Sequence, residues 1–237
     1  VVYDAKGHHQ RFLRCHNSQV RCLALHPSGV VLASGQAGDG DGEAPSKLLP
    51  EICVWQSDSQ EPIAVLNGCH SGGVAALSFS ADGGRLVSIG SDPAHVVALW
   101  DWRRRLCLAN ARAGASPIFD VAWSPDGEGF ATAGVGTIGL WAMEGDNTLT
   151  ARKASTGRAP GDPRQPALDD GRLEPSTTYL CVEYLPWGTL VGGSTRGEVW
   201  CWAADGSLLG CYRAHQGAVF ALAAHPLEGF LISAGST

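Results

Sequence analysis

The 237 residues are 44% hydrophobic and 17% charged, the balance of a chain that folds around a core. A net charge of −6 and a sequence pI of about 5.7 argue against a general nucleic-acid binder and against attraction to an anionic membrane. Thirty-one Gly and 13 Pro against a single Met favour many short strands joined by turns over helices.

In chain order, residue 2 already reads as strand, so the chain is expected to begin inside a structural element. A first repeat, about 12–66, opens on segment 20–29, a strand closed by the turn His26-Pro-Ser-Gly29. A second strand at 30–34, a third at 51–55 ending on Trp55, and a short outer strand at 62–66 follow. The pattern returns over about 67–111, with strands at 74–83 (turn included), 85–89, 96–100 ending on Trp100, and 105–109. The third copy, about 112–150, has 118–127, 129–133 and 137–141 ending on Trp141. The fourth, about 178–211, has 180–188, 189–193, 198–202 ending on Trp202, and 207–211. A fifth, incomplete copy at about 212–237 has 219–229 and 230–234.

The copies start at 20, 74, 118, 180 and 219, between 39 and 62 residues apart. A four-stranded propeller blade takes about 40–45 residues. Two insertions, about 36–50 and 151–177, account for the long steps; both are rich in Gly, Pro, Ser and charge and read as loops. The apolar runs do not alternate cleanly, which fits sheets covered on both faces. With no helical pattern between strands, a parallel α/β fold is excluded. The expected fold is all-β: a partial WD-repeat β-propeller of about five four-stranded blades. Both ends fall inside a repeat, so the chain reads as part of a longer propeller with an exposed apolar blade face.

His16, His70 and His215 each precede a first strand by four or five residues. In WD repeats such a His joins a Ser or Thr, a turn Asp and the Trp in a buried hydrogen-bonded set. The second blade offers His70, Ser88, Asp92 and Trp100; the third lacks the His, and the fourth lacks both the His and a clear turn Asp. That role is structural. Eight Cys without a C-x-x-C pair read as buried thiols rather than a metal or disulfide framework. No catalytic or nucleotide-binding motif is present. Asp39-Gly-Asp-Gly-Glu43 lacks the spacing of a calcium loop and reads as an acidic loop. Arg103-Arg-Arg105 is either a solvated turn or a contact for an acidic tail or phosphate. Trp187 is either packed over the blade edge or a surface anchor. The 151–177 insertion carries Arg152, Lys153, Arg158, Arg164 and Arg172 against Asp162, Asp169, Asp170 and Glu174, and reads as a solvated or partner-binding loop.

The opening Val2-Tyr-Asp-Ala…Gln10-Arg-Phe, then Ala33-Ser-Gly-Gln36, Leu99-Trp-Asp-Trp102, Pro117-Ile-Phe-Asp-Val-Ala-Trp123 and Ala214-His-Gln-Gly-Ala-Val-Phe220 form an ordered series. It resembles the first propeller of the echinoderm microtubule-associated protein-like family. The resemblance implies a cytoplasmic, cytoskeletal binding platform, not an enzyme, with tubulin or microtubules as partners. Charge and missing motifs lead to the expectation of no cofactor, metal, nucleic acid or membrane. A ciliary or centriolar scaffold, or a ligase substrate receptor, is the alternative without tubulin contact. In that family a HELP motif and a second propeller flank this region. Propeller architecture points to the loops before each first strand as the contact surface: Asn17, Ser18, Gln19, Ser71, Gly72, Ser116, Pro117, Gln216 and Gly217.

Overall fold

In the computed structural model, residues 1–38, 49–59, 61–145, 148–155, 177–225 and 227–237 are described. The Asp39–Glu43 cluster and the charges at Arg158, Asp162, Arg164, Asp169, Asp170, Arg172 and Glu174 lie outside them. Among the described residues every regular element is a strand. The chain forms two compact units, Val1–Ala115 and Ser116–Thr237.

In the first unit, β1 (Val2–Asp4) and β2 (His9–Arg11) make a hairpin. The strands β3 (Val20–Leu25), β4 (Val31–Gln36), β5 (Ile52–Gln56) and β6 (Pro62–Leu66) then form an antiparallel meander. A second meander follows: β7 (Val74–Phe79), β8 (Leu86–Gly90), β9 (Val96–Asp101) and β10 (Leu106–Arg112). The second unit has β11 (Ile118–Trp123), β12 (Gly129–Gly134), β13 (Thr137–Glu144) and β14 (Thr148–Lys153) in one sheet. Its next sheet is β15 (Tyr179–Tyr184), β16 (Leu190–Ser194), β17 (Glu198–Trp202) and β18 (Leu208–Arg213). Two strands, β19 (Val219–Ala224) and β20 (Leu231–Gly235), end the chain.

One sequence expectation needs correction. Strand β14 runs on to Lys153, so the third sheet extends past residue 150 into what reads as insertion. Each residue from Thr148 to Lys153 pairs with one of β13, Glu144 back to Gly139, and the charged side chains of Arg152 and Lys153 stay exposed on an outer strand. An exposed outer strand has little need of apolar residues, so its composition mimics a loop.

The sheets pack because their strands are apolar on both sides. Every residue of β8 and β16 is buried. The first unit's core joins Ala33, Ile52, Val54 and Leu66 of one sheet to Val74, Leu77, Phe79 and Trp100 of the next. In the second unit Ala131, Ile138 and Leu140 pack on Tyr179, Val182, Leu190 and Trp202. Burying each such side chain contributes roughly 2–3 kcal/mol relative to leaving it in water. Two glycines set how closely neighbouring sheets approach. A Cβ on Gly35 of β4 would sit 2.7 Å from Val74 Cβ of β7; one on Gly193 of β16 would sit 2.7 Å from Val219 Cγ1 of β19. One sheet in each unit has a bare face: in the first, Leu23 and Leu25 on β3 are 69% and 67% exposed; in the second, Phe220 and Ile232 on β19 and β20 are 62% and 61% exposed.

Candidate interaction surface

Each sheet has two distinct ends. At one end the first strand turns tightly into the second. Gly29, Gly83, Gly127, Gly188 and Gly229 occupy the same turn position with φ between +68° and +89°, the left-handed region where a side chain is strained. Ser and Asp side chains close two of these turns. Ser80 Oγ donates to Asp82 Oδ1 at 2.6 Å, and the Gly84 amide donates to the same oxygen at 2.8 Å. Ser124 and the Glu128 amide donate to Asp126 in the same way. These hydrogen bonds hold both carboxyls below the usual carboxylate range.

At the other end lies the loop that precedes the first strand. Its geometry repeats in all five sheets. The residue before the first strand accepts a backbone hydrogen bond from the residue just after the second: Ala37 to Gln19 (2.7 Å), Ser91 to Gly73, Val135 to Pro117, Thr195 to Thr178 and Ser236 to Ala218. A register shift follows at the second residue of each first strand, at Arg21, Ala75, Phe119, Leu180 and Phe220. A bulge re-aims the side chain it carries. Arg21, Phe119 and Phe220 are exposed there, Phe119 by 42%. Sequence reading missed these bulge residues, because a bulge belongs to the pairing of two strands and leaves no mark on either one. The candidate positions Asn17, Gln19, Ser71, Gly72, Ser116, Pro117 and Gln216 are exposed, with Ser18 and Gly217 half-buried. Some are already engaged: Asn17 Oδ1 accepts from Gln36 Nε2 at 3.0 Å, and the Gly72 carbonyl accepts from Ser91 Oγ at 2.7 Å.

Beneath the loops lies the polar set, and it varies from sheet to sheet. In the β7–β10 sheet, Trp100 Nε1 donates to Ser88 Oγ (2.8 Å), which meets His70 Nε2 at 2.6 Å. Asp92 does not close the set. Its Oδ2 stands 3.9 Å from His70 Nδ1, and both atoms are buried without a hydrogen-bond partner. Burial pushes the His70 imidazolium down to about 4, against the opposing pull of Asp92. In the β3–β6 sheet, His16 Nε2 meets Ser34 Oγ at 2.6 Å and Trp55 donates to the same hydroxyl at 2.8 Å. Gln36, at the register position of Gly90, brings its Oε1 to 3.0 Å from His16 Nδ1. In the β11–β14 sheet Trp141 donates to Thr132 with no His. In the last sheet His215 meets Ser233 at 2.9 Å.

Trp202 behaves differently. Gly192 occupies the register position of Ser88, so no hydroxyl is available, and Trp202 Nε1 donates to the Ser155 carbonyl at 2.7 Å. Glu198 takes over locally: its Oε2 accepts from Ser194 Oγ at 3.2 Å and from Trp200 Nε1 at 3.1 Å.

Arg103 lies over the Trp102 ring at 4.3 Å and donates to the Gly83 carbonyl. Arg104 pairs with Asp101 at 3.7 Å, and Arg105 donates to the Ile63 carbonyl. The run is therefore a structural turn whose cations face protein acceptors. Trp187 is 59% exposed, and its ring covers Gly229, where a Cβ would come within 3.0 Å of it. Asp120 spans two strands: its carboxylate accepts from the Val121 amide and from the Val182 amide of β15, both at 2.9 Å, while burial pushes it up to about 6. Cys15, Glu51 and Cys53 place their ligand atoms within 4.8 Å of one another.

Comparison with known proteins fits this geometry. Residues 9–237 match the family model described as the echinoderm microtubule-associated protein first β-propeller. Echinoderm microtubule-associated protein-like 2 of Rattus norvegicus is 30% identical over 99% of this chain and 34% of its own length. Echinoderm microtubule-associated protein-like 1 of Mus musculus is 27% identical over 99% of the chain and 28% of its own length. The 77 kDa echinoderm microtubule-associated protein of Strongylocentrotus purpuratus is 25% identical, with 99% and 32% covered. The chain thus spans about a third of the length of these relatives. Among solved structures, the β-propeller domain of Cps50 (Swd1) from Myceliophteria thermophila superposes with a TM-score of 0.72 at 18% identity, over 93% of this chain and 63% of that one. That likeness establishes the fold, a partial WD-repeat β-propeller.

Proposed function

The chain belongs to the echinoderm microtubule-associated protein family, and from that premise we propose that it is a non-catalytic binding platform of a cytoplasmic, cytoskeletal protein that associates with microtubules or tubulin. The observation that carries this reading is the match to the first-propeller model over residues 9–237, joined to the loop-end geometry that all five sheets share. Three of the five loop ends hold an exposed bulged residue, Arg21, Phe119 and Phe220, while Ala75 and Leu180 are half-buried at the same position. The proposed contacts are Asn17, Ser18, Gln19 and Arg21 on the first sheet and Ser71 and Gly72 on the second. Ser116, Pro117 and Phe119, with Gln216, Gly217 and Phe220, serve on the sheets that follow. Polar loops around exposed aromatics are the composition of a protein-binding patch.

The test is co-sedimentation of the full-length protein with taxol-stabilised microtubules, alongside gel filtration with free tubulin dimers. Binding to either, weakened at least tenfold by joint Phe119→Ser and Phe220→Ser substitution, is the expected result. No binding to either form would leave a propeller scaffold with a different partner.

A further inference from the structure

Cys15 lies in the segment entering β3 and Cys53 is the second residue of β5, yet their sulfurs approach to 2.7 Å. Cys53 is fully buried and Cys15 half-buried. The Cys53 sulfur is also 3.8 Å from His16 Nδ1, and the Glu51 carboxylate lies within 4.8 Å of both sulfurs. Two occupants suit such a cluster: a soft metal ion, or a bond between the sulfurs themselves.

The geometry separates them. A tetrahedral ion with metal–sulfur bonds of about 2.3 Å holds two thiolates about 3.8 Å apart. These sulfurs are an ångström closer than that. The fourth ligand a metal would need is also committed. Gln36 Nε2 donates to Asn17, which aims its Oε1 at His16 Nδ1; an amide oxygen only accepts, so Nδ1 carries the hydrogen. Binding a metal there would strip that bond and orphan the oxygen of Gln36, a residue 2% exposed.

We propose that Cys15 and Cys53 are a redox-active thiol pair that closes to an intramolecular disulfide and pins the 16–19 loop to the third strand of its sheet. The oxidant is a small-molecule disulfide of the glutathione type. The Cys15 thiolate, the more accessible, attacks one sulfur of oxidised glutathione and expels one glutathione thiolate, leaving a mixed disulfide. Cys53 then releases its proton to water and attacks the Cys15 sulfur, expelling the second glutathione. Two protein thiols lose two electrons and two protons, and one oxidised glutathione becomes two reduced ones. Burial, the Cys15 thiol and Glu51 all push the Cys53 thiol up, which suits a resolving thiol that stays protonated until the mixed disulfide stands beside it. The disulfide forms whether or not the protein binds tubulin.

The second blade supplies an internal comparison. Cys69 precedes His70 as Cys15 precedes His16, and its thiol hydrogen-bonds to Cys107. The experiment equilibrates the full-length protein in glutathione buffers from fully reduced to fully oxidised. Acid quenching, alkylation, digestion without reduction and mass spectrometry then map every cysteine. The expected result is a Cys15 peptide joined to a Cys53 peptide, growing with oxidised glutathione and reversed by the reduced form. Cys15→Ser abolishes it and leaves Cys53 free of glutathione. Cys15 ending as a stable glutathione adduct beside a free Cys53, or neither thiol reacting, would overturn the proposal. So would stoichiometric zinc that is retained on desalting and lost in Cys15→Ser, which would make the cluster a metal site.

Discussion

The two ends of each sheet obey different rules. At the turn end every sheet uses a glycine at one position, and polar side chains there bond to the turn itself, as Ser80 with Asp82 and Ser124 with Asp126 do. At the loop end the backbone pattern is equally regular, but the side chains vary from sheet to sheet. Arg21, Ala75, Phe119, Leu180 and Phe220 occupy the same bulge, and His16, His70, Thr132, Glu198 and His215 anchor five different polar sets. The turn end consumes its polar groups in holding shape. The loop end keeps its shape through backbone and bulge, and its exposed side chains are the contacts we propose.

The largest effect should come from the buried anchor under the loops. Ser88→Ala leaves Trp100 Nε1 and His70 Nε2 without partners in a site where Ser88 is 0% exposed, and should cost about 2–3 kcal/mol in urea denaturation. A cost near zero would mean that the polar set is as dispensable there as in the sheet where Gly192 replaces the hydroxyl.

Acid should act on two loop-end groups in opposite directions. His70 is held down to about 4 from an ordinary 6.5, so the unfolded chain takes up a proton first. Its contribution is complete above pH 6.5 and is lost as pH falls toward 4. Asp120 is raised to about 6, so the folded chain holds its proton more tightly. Its contribution is complete below the ordinary carboxylate value and is lost as pH rises through 6. Hydrogen exchange, corrected for intrinsic rates, should show protection of β7–β10 falling between pH 6.5 and 5. Protection of β11 and β15 should rise over that interval, each by up to about tenfold per unit. Both sheets moving together would refute the assignment.

Turn-end substitutions should cost less. Asp82→Ala and Asp126→Ala each remove a turn-closing acceptor that is largely exposed, and should lower stability by about 1 kcal/mol without touching partner binding. Smallest of all, Phe119→Ser and Phe220→Ser should shift stability by less than about 0.5 kcal/mol each, because both side chains are exposed. A large loss of stability would mean that these rings are packing residues and not contacts.

The repeat was legible because its marks are local: a turn glycine, an apolar run, a terminal Trp. The anchor was legible by residue in His70 with Ser88; for His16 and His215 the sequence marked the His alone, although Ser34 and Ser233 stand at the same spacing of 18. It was hidden where another residue type took the role. Gln36 and Glu198 belong to strands, and nothing in the sequence marks either as a member of the polar set. Trp202 bonds a carbonyl because a glycine removed its hydroxyl partner, a substitution visible only once β16 and β17 are in register. Strand β14 hid behind its charges, and the Cys15–Cys53 pair behind the sequence distance between its members.

Hydrogen-exchange footprinting of the full-length protein with and without tubulin tests the central claim most directly. The account predicts new protection at residues 17–21, 71–75, 116–119 and 216–220, with turns 80–85, 124–129 and 185–189 unchanged. Protection confined to those turns, or to none of these segments in a complex that forms, would contradict it.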